Sequence, residues 1–336
     1  METRLSDNLP EICAVVVTFN GKKHLEVCLP TLLKMNYPKN KYTIIVVDNA
    51  SINDTVDFVK KNYPQITLVE SKKNLGWAAA TDMGIIWAQE HTKSQYYFLF
   101  NDDTKIDADF FNQTLNFAQK NPEYGIFGGK VYNMGTNVIQ MAGGGMFKPH
   151  SFEFTLLGEQ QKDVGQFNNS MEIDHVFEAA CCVSKTTIDK IGLFDPNYFY
   201  VLEGPDFCLR AKRQGIKSAY VAQAKAEHYL SSTTSQKKNV GGLSKIFFSR
   251  LRFIKSKNRL RLSIKNYSIK ETILIELSYF ISGVKRLKQF PNLVPFISFF
   301  VGFIYSMLWN LIYLPQTLQY RYSNKENYEP YLKKYF

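Results

Sequence analysis

Two carboxylates, Asp102 and Asp103, stand side by side in FLFNDDT, at the end of the aromatic run YYFLF. Adjacent like charges oppose each other's ionisation, so a cation is their natural third member. Mg²⁺ or Mn²⁺ is commonly held by one or two carboxylates together with substrate phosphates. One reading of the pair is therefore a metal ion carrying a diphosphate. The other is a solvated acid pair at the start of a helix, before KIDADFF. Spacing alone does not separate the two. What makes the first attractive is company. Thr18-Phe19-Asn20 follows one apolar run, Asp48-Asn49 ends a second, and Asn74 and Gly76 come a few residues after a third.

Those runs are the elements that must position the acids. ICAVVVT (12–18), TIIVVD (43–48), ITLVE (66–70) and YYFLFN (96–101) alternate with segments of helical length at 21–35, 53–62, 76–91 and 107–120. Continuous apolar strands alternating with helices predict an α/β fold, a Rossmann-like, mostly parallel sheet with helices on both faces. Asn53-Asp54 and Asp107 offer helix starts. Ligands of such open sheets collect at the carboxyl ends of the strands, so the polar groups should converge on one edge. Residues 131–175 are rich in Gly and polar residues, with glycines at 143–145, and predict long loops and a hairpin. Helical character returns at 184–191 and 205–214, with a short strand near 216–221.

The chain has 336 residues, and Lys plus Arg exceed Asp plus Glu by eleven. The whole excess sits between Ser231 and Lys270, where eleven Lys or Arg occur with no acid. We place a boundary near 235, giving a charge-balanced domain over 1–235 and a basic, then apolar, helical region over 236–336. The five cysteines form no CxxC pair, which argues against a zinc site or disulfide framework and for a reducing compartment. METRLSDNLPE has no apolar core of a signal peptide.

Taken in order, VVVTFNGKKHLEVCLPTLL, IIVVDNASINDT, NLGWAAATDMGI and FLFNDDTKID resemble the successive motifs of family 2 glycosyltransferases, and among them the bacterial rhamnosyltransferase-like branch. IGLFDPNYFYVLEGPDFCLRAKRQG resembles that branch's acidic, acceptor-side motif, and the likeness runs on to His228. The resemblance implies a GT-A fold, a dTDP- or UDP-linked sugar donor, inversion at the anomeric carbon, and Mn²⁺ or Mg²⁺. Carried over motif by motif, it places Thr18, Phe19, Asn20 and Asp48 around the nucleoside, and Asn74 and Gly76 against the donor. Asn101, Asp102 and Asp103 match the DxD-like element, with Asp102 near the ribose and Asp103 as the principal metal ligand. His228 matches a histidine that completes the metal site.

One departure matters for chemistry. The family's acidic motif reads Glu-Asp-x-Asp, and its second residue is taken as the general base. Here it reads Glu203-Gly204-Pro205-Asp206. Three explanations compete: Glu203 takes over as base, Asp206 serves instead, or the protein binds donor without efficient transfer. A purely structural reading of Asp206 also stands, since an acid favours a helix N-terminus. Glu178 stands where the family often has glycine, and is expected to touch acceptor hydroxyls or to form a surface salt bridge.

Beyond 270, Ile273, Leu277, Phe280, Ile281, Val284 and Leu287 share one helical face. Gln289–Tyr320 carries no charge, and Pro295 and Pro315 bracket 19 residues, about the length of a bilayer core. Basic, amphipathic and uncharged segments in series predict an anionic membrane surface as partner rather than nucleic acid. The segment reads equally as a span or as a re-entrant or in-plane helix pair. The expectation is an enzyme at the cytoplasmic face of a membrane, extending a glycan or lipid-linked acceptor for surface polysaccharide or cell wall.

Overall fold

The β-branched run at the start of the chain becomes the central strand of a large sheet. In this computed structural model, which describes residues 9–147, 154–229, 243–287, 293–323 and 325–336, β1 (Ile12–Thr18) lies between β2 (Tyr42–Asp48) and β4 (Tyr96–Asn101), parallel to both. β3 (Thr67–Glu70) extends the parallel half beyond β2. Side chains alternate across a strand, so Ile12, Ala14 and Val16 enter one buried cluster while Cys13 and Val15 enter the other. Both faces are covered by helices, among them α1 (Lys22–Leu33), α2 (Thr55–Asn62), α3 (Gly76–His91) and α4 (Phe110–Lys120). The five cysteines are all buried and free.

The other half departs from the expected parallel sheet. Further strands are β5 (Thr104–Ile106), β6 (Tyr124–Asn133), β7 (Val138–Ala142), β8 (Gly144–Phe147), β9 (Phe154–Leu156), β10 (Gln161–Lys162), β11 (Met171–Ile173), β12 (His175–Val176), β13 (Ala180–Ser184) and β14 (Lys217–His228). β13 inserts antiparallel between β4 and β6, so the sheet is mixed, in the order β10-β7-β6-β13-β4-β1-β2-β3. β12, β8 and β9 form a second, small sheet where loops and a hairpin were expected. β14 is twice the expected length. It runs parallel to β6 with a register shift between Val221 and Lys225, then pairs with β5, which delivers His228 opposite Thr104.

The helices that follow are α5 (Lys185–Ile191), α6 (Glu203–Arg213), α7 (Leu243–Asn266), α8 (Ile269–Leu287), α9 (Leu293–Ile312), α10 (Leu314–Tyr322) and α11 (Glu329–Leu332). The boundary near 235 lies outside the described residues, as do the first eight residues. The last helices are fastened to the sheet domain. Tyr328 and Leu332 belong to the same core cluster as Val15 and Val47, and Gly192 bridges to Glu326.

One expectation for the tail is corrected in part. Among the described side chains of the basic belt, Arg259, Arg261 and Lys265 are buried against Glu276, Asp195, Asp206 and Glu326, while Lys255 and Lys270 are exposed. Among the described residues no single helix is long and apolar enough to cross a membrane. Phe299–Ile312 and Leu314–Tyr322 reach that composition only as a pair bent by 65°. Asn310 and Ser306, buried, bond back to α7 carbonyls, so one face of α9 packs on protein.

Candidate donor and metal site

The parallel register brings the polar groups together. Thr18 stands opposite Asp48 across β1 and β2, and Val17 opposite Asn101 across β1 and β4. The carboxyl ends of β1, β2 and β4, with the end of β14, therefore form one edge.

At that edge Asp103 Oδ1 lies 2.9 Å from His228 Nε2, and Asn101 Nδ2 lies 3.2 Å from the same nitrogen. His228 Nδ1 is 2.9 Å from Gln140 Oε1, so with Gln140 accepting, Nδ1 carries the proton. Nε2 then presents its lone pair to a carboxylate oxygen. Two acceptors at that separation require a proton or a cation between them. Asn101 is itself held by Trp77, whose Nε1 donates to Oδ1 at 3.0 Å. Trp77 packs edge-on to Phe194 and uses its polar end here.

Asp102 accepts from Thr18 Oγ1 at 2.6 Å. Burial raises its carboxyl to about 6, the Thr18 hydroxyl opposing and Asp103 adding to the rise. A Cβ on Gly21 would fall 1.8 Å from Asp102 Oδ2, so the glycine after Phe19-Asn20 makes room for the acid.

Asp48 is buried. Its Oδ2 accepts from the Ser51 amide, while Oδ1 has no hydrogen-bond partner among the described residues. Buried polar atoms are normally paired, so Oδ1 is a ready acceptor for a ligand donor. Phe19, nearly half exposed at 46%, offers a bare ring beside it. Asn20 does something else. It takes a positive φ, and its Oδ1 accepts from the Ile52 amide, which makes it a clasp for the loop after β2.

Asn74 and Gly76 form the turn into α3. Gly76 has φ +81°, and a Cβ there would meet Phe199 O at 2.1 Å. Asn49 ties this turn down, donating to Asn74 Oδ1 and accepting from the Leu75 amide.

Residues 13–176 match the sequence model of Glycosyl transferase family 2. They are a family 2 glycosyltransferase domain. A low-salt glycan biosynthesis hexosyltransferase of Haloferax volcanii is 22% identical over 51% of this chain, which spans about half, 54%, of that relative. N-acetylglucosaminyl-diphospho-decaprenol L-rhamnosyltransferase of Mycobacterium tuberculosis is 23% identical over 69% of this chain and 79% of its own. Among solved structures, GalNAc-T7 with UDP, GalNAc and Mn²⁺ superposes with a TM-score of 0.58 at 15% identity, covering 76% of this chain and 48% of that one. The mannosyltransferase PcManGT of Pyrobaculum calidifontis, with GDP-Man and Mn²⁺, gives 0.52 at 12% over 90% and 87%. These likenesses establish the GT-A fold.

A second acidic region lies at the head of α6, beyond the matched residues. Glu203 is buried and its Oε2 has no hydrogen-bond partner among the described residues. Burial, then the neighbouring Glu178, raise its carboxyl to about 8. Glu178, from the β12–β13 connection, is raised to about 7 by burial, with hydrogen bonding from its own backbone and that of Gly204 opposing.

Asp206, the other expected base, turns away into an ion cluster. Its oxygens take Tyr198 Oη, Arg210 Nε, Lys265 Nζ and Asn266 Nδ2 at 3.1, 3.1, 2.9 and 2.9 Å. Burial would raise it, but Lys265 and Arg210 hold it below the usual carboxylate range. A carboxylate so engaged is no base. Asp195, Asp206 and Glu326 lie close enough to share a metal ion, yet Lys265 Nζ reaches all three at 2.9–3.0 Å. That cation position is filled by the chain's own ammonium.

Sequence reasoning missed four supports: Gln140 behind His228, Trp77 behind Asn101, Gly21 beside Asp102, and Asn49 behind Asn74. Of these, only Asn49 carried a signal, its place next to Asp48 at a strand end.

Proposed function

We propose that this chain is an inverting, metal-dependent glycosyltransferase that moves a sugar from a nucleotide-diphosphate sugar to a hydroxyl of a glycan or lipid-linked acceptor. The observation that carries this reading is the Asp103–His228 pair on the same sheet edge as Asp48, whose Oδ1 has no hydrogen-bond partner among the described residues. Carboxylate and imidazole suit Mn²⁺ and, less closely, Mg²⁺. When bound, such an ion offsets the charge that builds on a departing nucleoside diphosphate. The protein's part is positioning. Asp48 accepts from the nucleoside, Phe19 lies against it, and Asn74–Gly76 form the wall nearest the donor. Asn101 and Gln140 fix the His228 ring, and the carboxyl pair at the head of α6 receives the acceptor's proton. The Mycobacterium relative points to rhamnose from dTDP-rhamnose; UDP-sugars fit the same groups.

Membrane docking belongs to the same reading. Ile273, Leu274, Leu277 and Ile281 of α8 and Ile304, Met307, Leu308 and Leu311 of α9 are all exposed. Of these, Ile273, Leu277, Met307 and Leu311, with Leu260 and Ile264 of α7, border an apolar groove of about 540 Å³. Apolar surface of this kind on a soluble face marks an interaction site. An in-plane helix pair at the cytoplasmic face would bring a lipid-linked acceptor to the enzyme.

Gly204 favours a second reading, a protein that binds sugar nucleotide without transferring it. Calorimetric titration of UDP, dTDP and GDP, with Mn²⁺ and with EDTA, tests the donor site. Metal-dependent binding lost in Asp103→Ala supports it; no binding to folded protein sinks it. Turnover of the matching nucleotide sugar then separates the enzyme from the binder.

A further inference from the structure

Two positions at which this chain departs from its family meet in space. A Cβ built on Gly204 would lie 1.9 Å from Glu178 Oε1, 2.6 Å from its Cδ and 3.0 Å from its Cγ. The Glu178 carboxyl therefore fills the volume in which a residue-204 side chain would begin. Gly204 does not have a left-handed backbone that would call for glycine; its φ is absent from the positive set. A side chain there would have to displace the Glu178 carboxyl from its present position.

Glu178 is also well placed in the β12–β13 connection. The next residue, Ala179, accepts from the Asn101 amide at 3.3 Å and from Thr104 Oγ1 at 3.0 Å. That ties it to the Asn101–Asp103 element. Burial, then the charges of Glu203, Glu178 and Asp103, raise the Tyr200 hydroxyl, so the three carboxyls share its neighbourhood. The buried, unpartnered Glu203 Oε2 belongs to the same group.

We propose that the catalytic carboxylate has moved from position 204 to Glu178, with Glu203 beside it. This rests on the glycosyltransferase reading above. In the reaction the acceptor oxygen bonds to the anomeric carbon as its proton passes to a Glu178 carboxylate oxygen. The bond from that carbon to the diphosphate breaks, and its electron pair leaves on the nucleoside diphosphate. Burial raises both carboxyls above the usual range, Glu178 to about 7 and Glu203 to about 8, so the pair can hold or take up a proton near neutral pH. A base is most effective when poised near the working pH.

The test uses the full chain and four variants: Glu178→Gln, Glu178→Gly, Glu203→Gln, and Glu178→Gly combined with Gly204→Asp. Nucleoside diphosphate release is followed from dTDP-rhamnose and UDP-sugars with Mn²⁺, using N-acetylglucosaminyl-diphospho-polyprenol as acceptor. Glu178→Gln should lower transfer by about 10²–10⁴-fold with nucleotide affinity unchanged. Glu203→Gln should lower it much less. Restoring the acid as Gly204→Asp in the Glu178→Gly background should recover at least about tenfold, within the range assigned to a base. Near-normal rates in Glu178→Gln, or a double variant no better than Glu178→Gly, overturn the assignment. Melting curves test the geometry without turnover: Gly204→Ala should destabilise the native chain and be tolerated beside Glu178→Gly. Equal destabilisation in both also overturns it. A native chain that binds nucleotide with metal but never transfers sugar fails the enzyme reading and this assignment together; loss confined to the Glu178 comparisons fails this assignment alone.

Discussion

Lys265 Nζ lies 2.9 Å from the Asp206 carboxylate, across 59 residues of chain. The same ammonium reaches Asp195 and Glu326 at 3.0 Å, while Arg261 bonds Asp195 and Arg210 bonds Asp206. None of these groups is more than 3% exposed. A buried ion cluster thus joins α7 and the C-terminal segment to the head of the acidic motif. Removing one partner from such a cluster leaves uncompensated buried charge. Lys265→Met should therefore cost about 3–5 kcal/mol, read as a lowered denaturation midpoint. A loss below about 1 kcal/mol, the worth of a surface pair, would contradict this account.

The same cluster sets an acid limit. Burial would raise Asp195, but Arg261 and Lys265 hold it well below the ordinary range, and Asp206 is depressed likewise. A carboxyl whose folded pKa is depressed contributes stability above its unfolded value, about 3.9, and loses it as pH falls through the folded one. Melting temperature should therefore decline as pH drops below about 4, within the range set by that reference value. The decline should be shallower in Asp195→Asn. Parallel curves would remove Asp195 from the explanation.

Gln140 fixes the His228 tautomer through Nδ1. Loss of such outer-sphere support costs metal sites about 10–100-fold in affinity. Gln140→Leu should weaken Mn²⁺-dependent nucleotide binding by that factor while leaving metal-free binding alone. Calorimetry with and without EDTA reads the difference.

Asp48 Oδ1 awaits a donor. Hydrogen bonds to charged groups are worth about 1.5–3 kcal/mol, so Asp48→Asn should weaken nucleotide binding about tenfold or more at constant metal. Unchanged affinity in a folded variant would move the nucleoside elsewhere.

The exposed faces of α8 and α9 make docking testable. Leu277→Asp with Leu308→Asp should abolish sedimentation with phosphatidylglycerol vesicles and leave nucleotide binding intact. Retained sedimentation would locate the membrane contact outside these helices.

The parallel half of the fold was legible because its strands are buried on both faces, which makes them continuous apolar runs with polar stops. Predicted and observed bounds differ by at most a residue for β1, β2, β3 and β4. Thr18, Asp48, Asn101 and Asp103 could be grouped for the same reason, since parallel strands share a carboxyl edge. The small β12-β8-β9 sheet was not legible: its strands have two to four residues and too few side chains to show a period. The basic belt was misread for a different cause. Composition counts Lys and Arg but does not show that Asp195 and Asp206, some 60 residues upstream, are buried facing them. Nor could sequence show that Glu178 and Gly204 occupy one volume, because that contact crosses from the β12–β13 connection to α6.

The burial of Arg259, Arg261 and Lys265 has an electrostatic consequence. These cations lie against carboxylates inside the protein, so beyond a few ångströms each pair is close to a neutral dipole. Those three cations therefore add little to the field around the segment, while Lys255 and Lys270 remain exposed. α8 and α9 also offer exposed hydrocarbon, Leu277 and Leu308 among it. Attraction through those apolar side chains would depend on displaced water rather than on counterions, and would persist at ionic strengths that shorten the Debye length to a few ångströms.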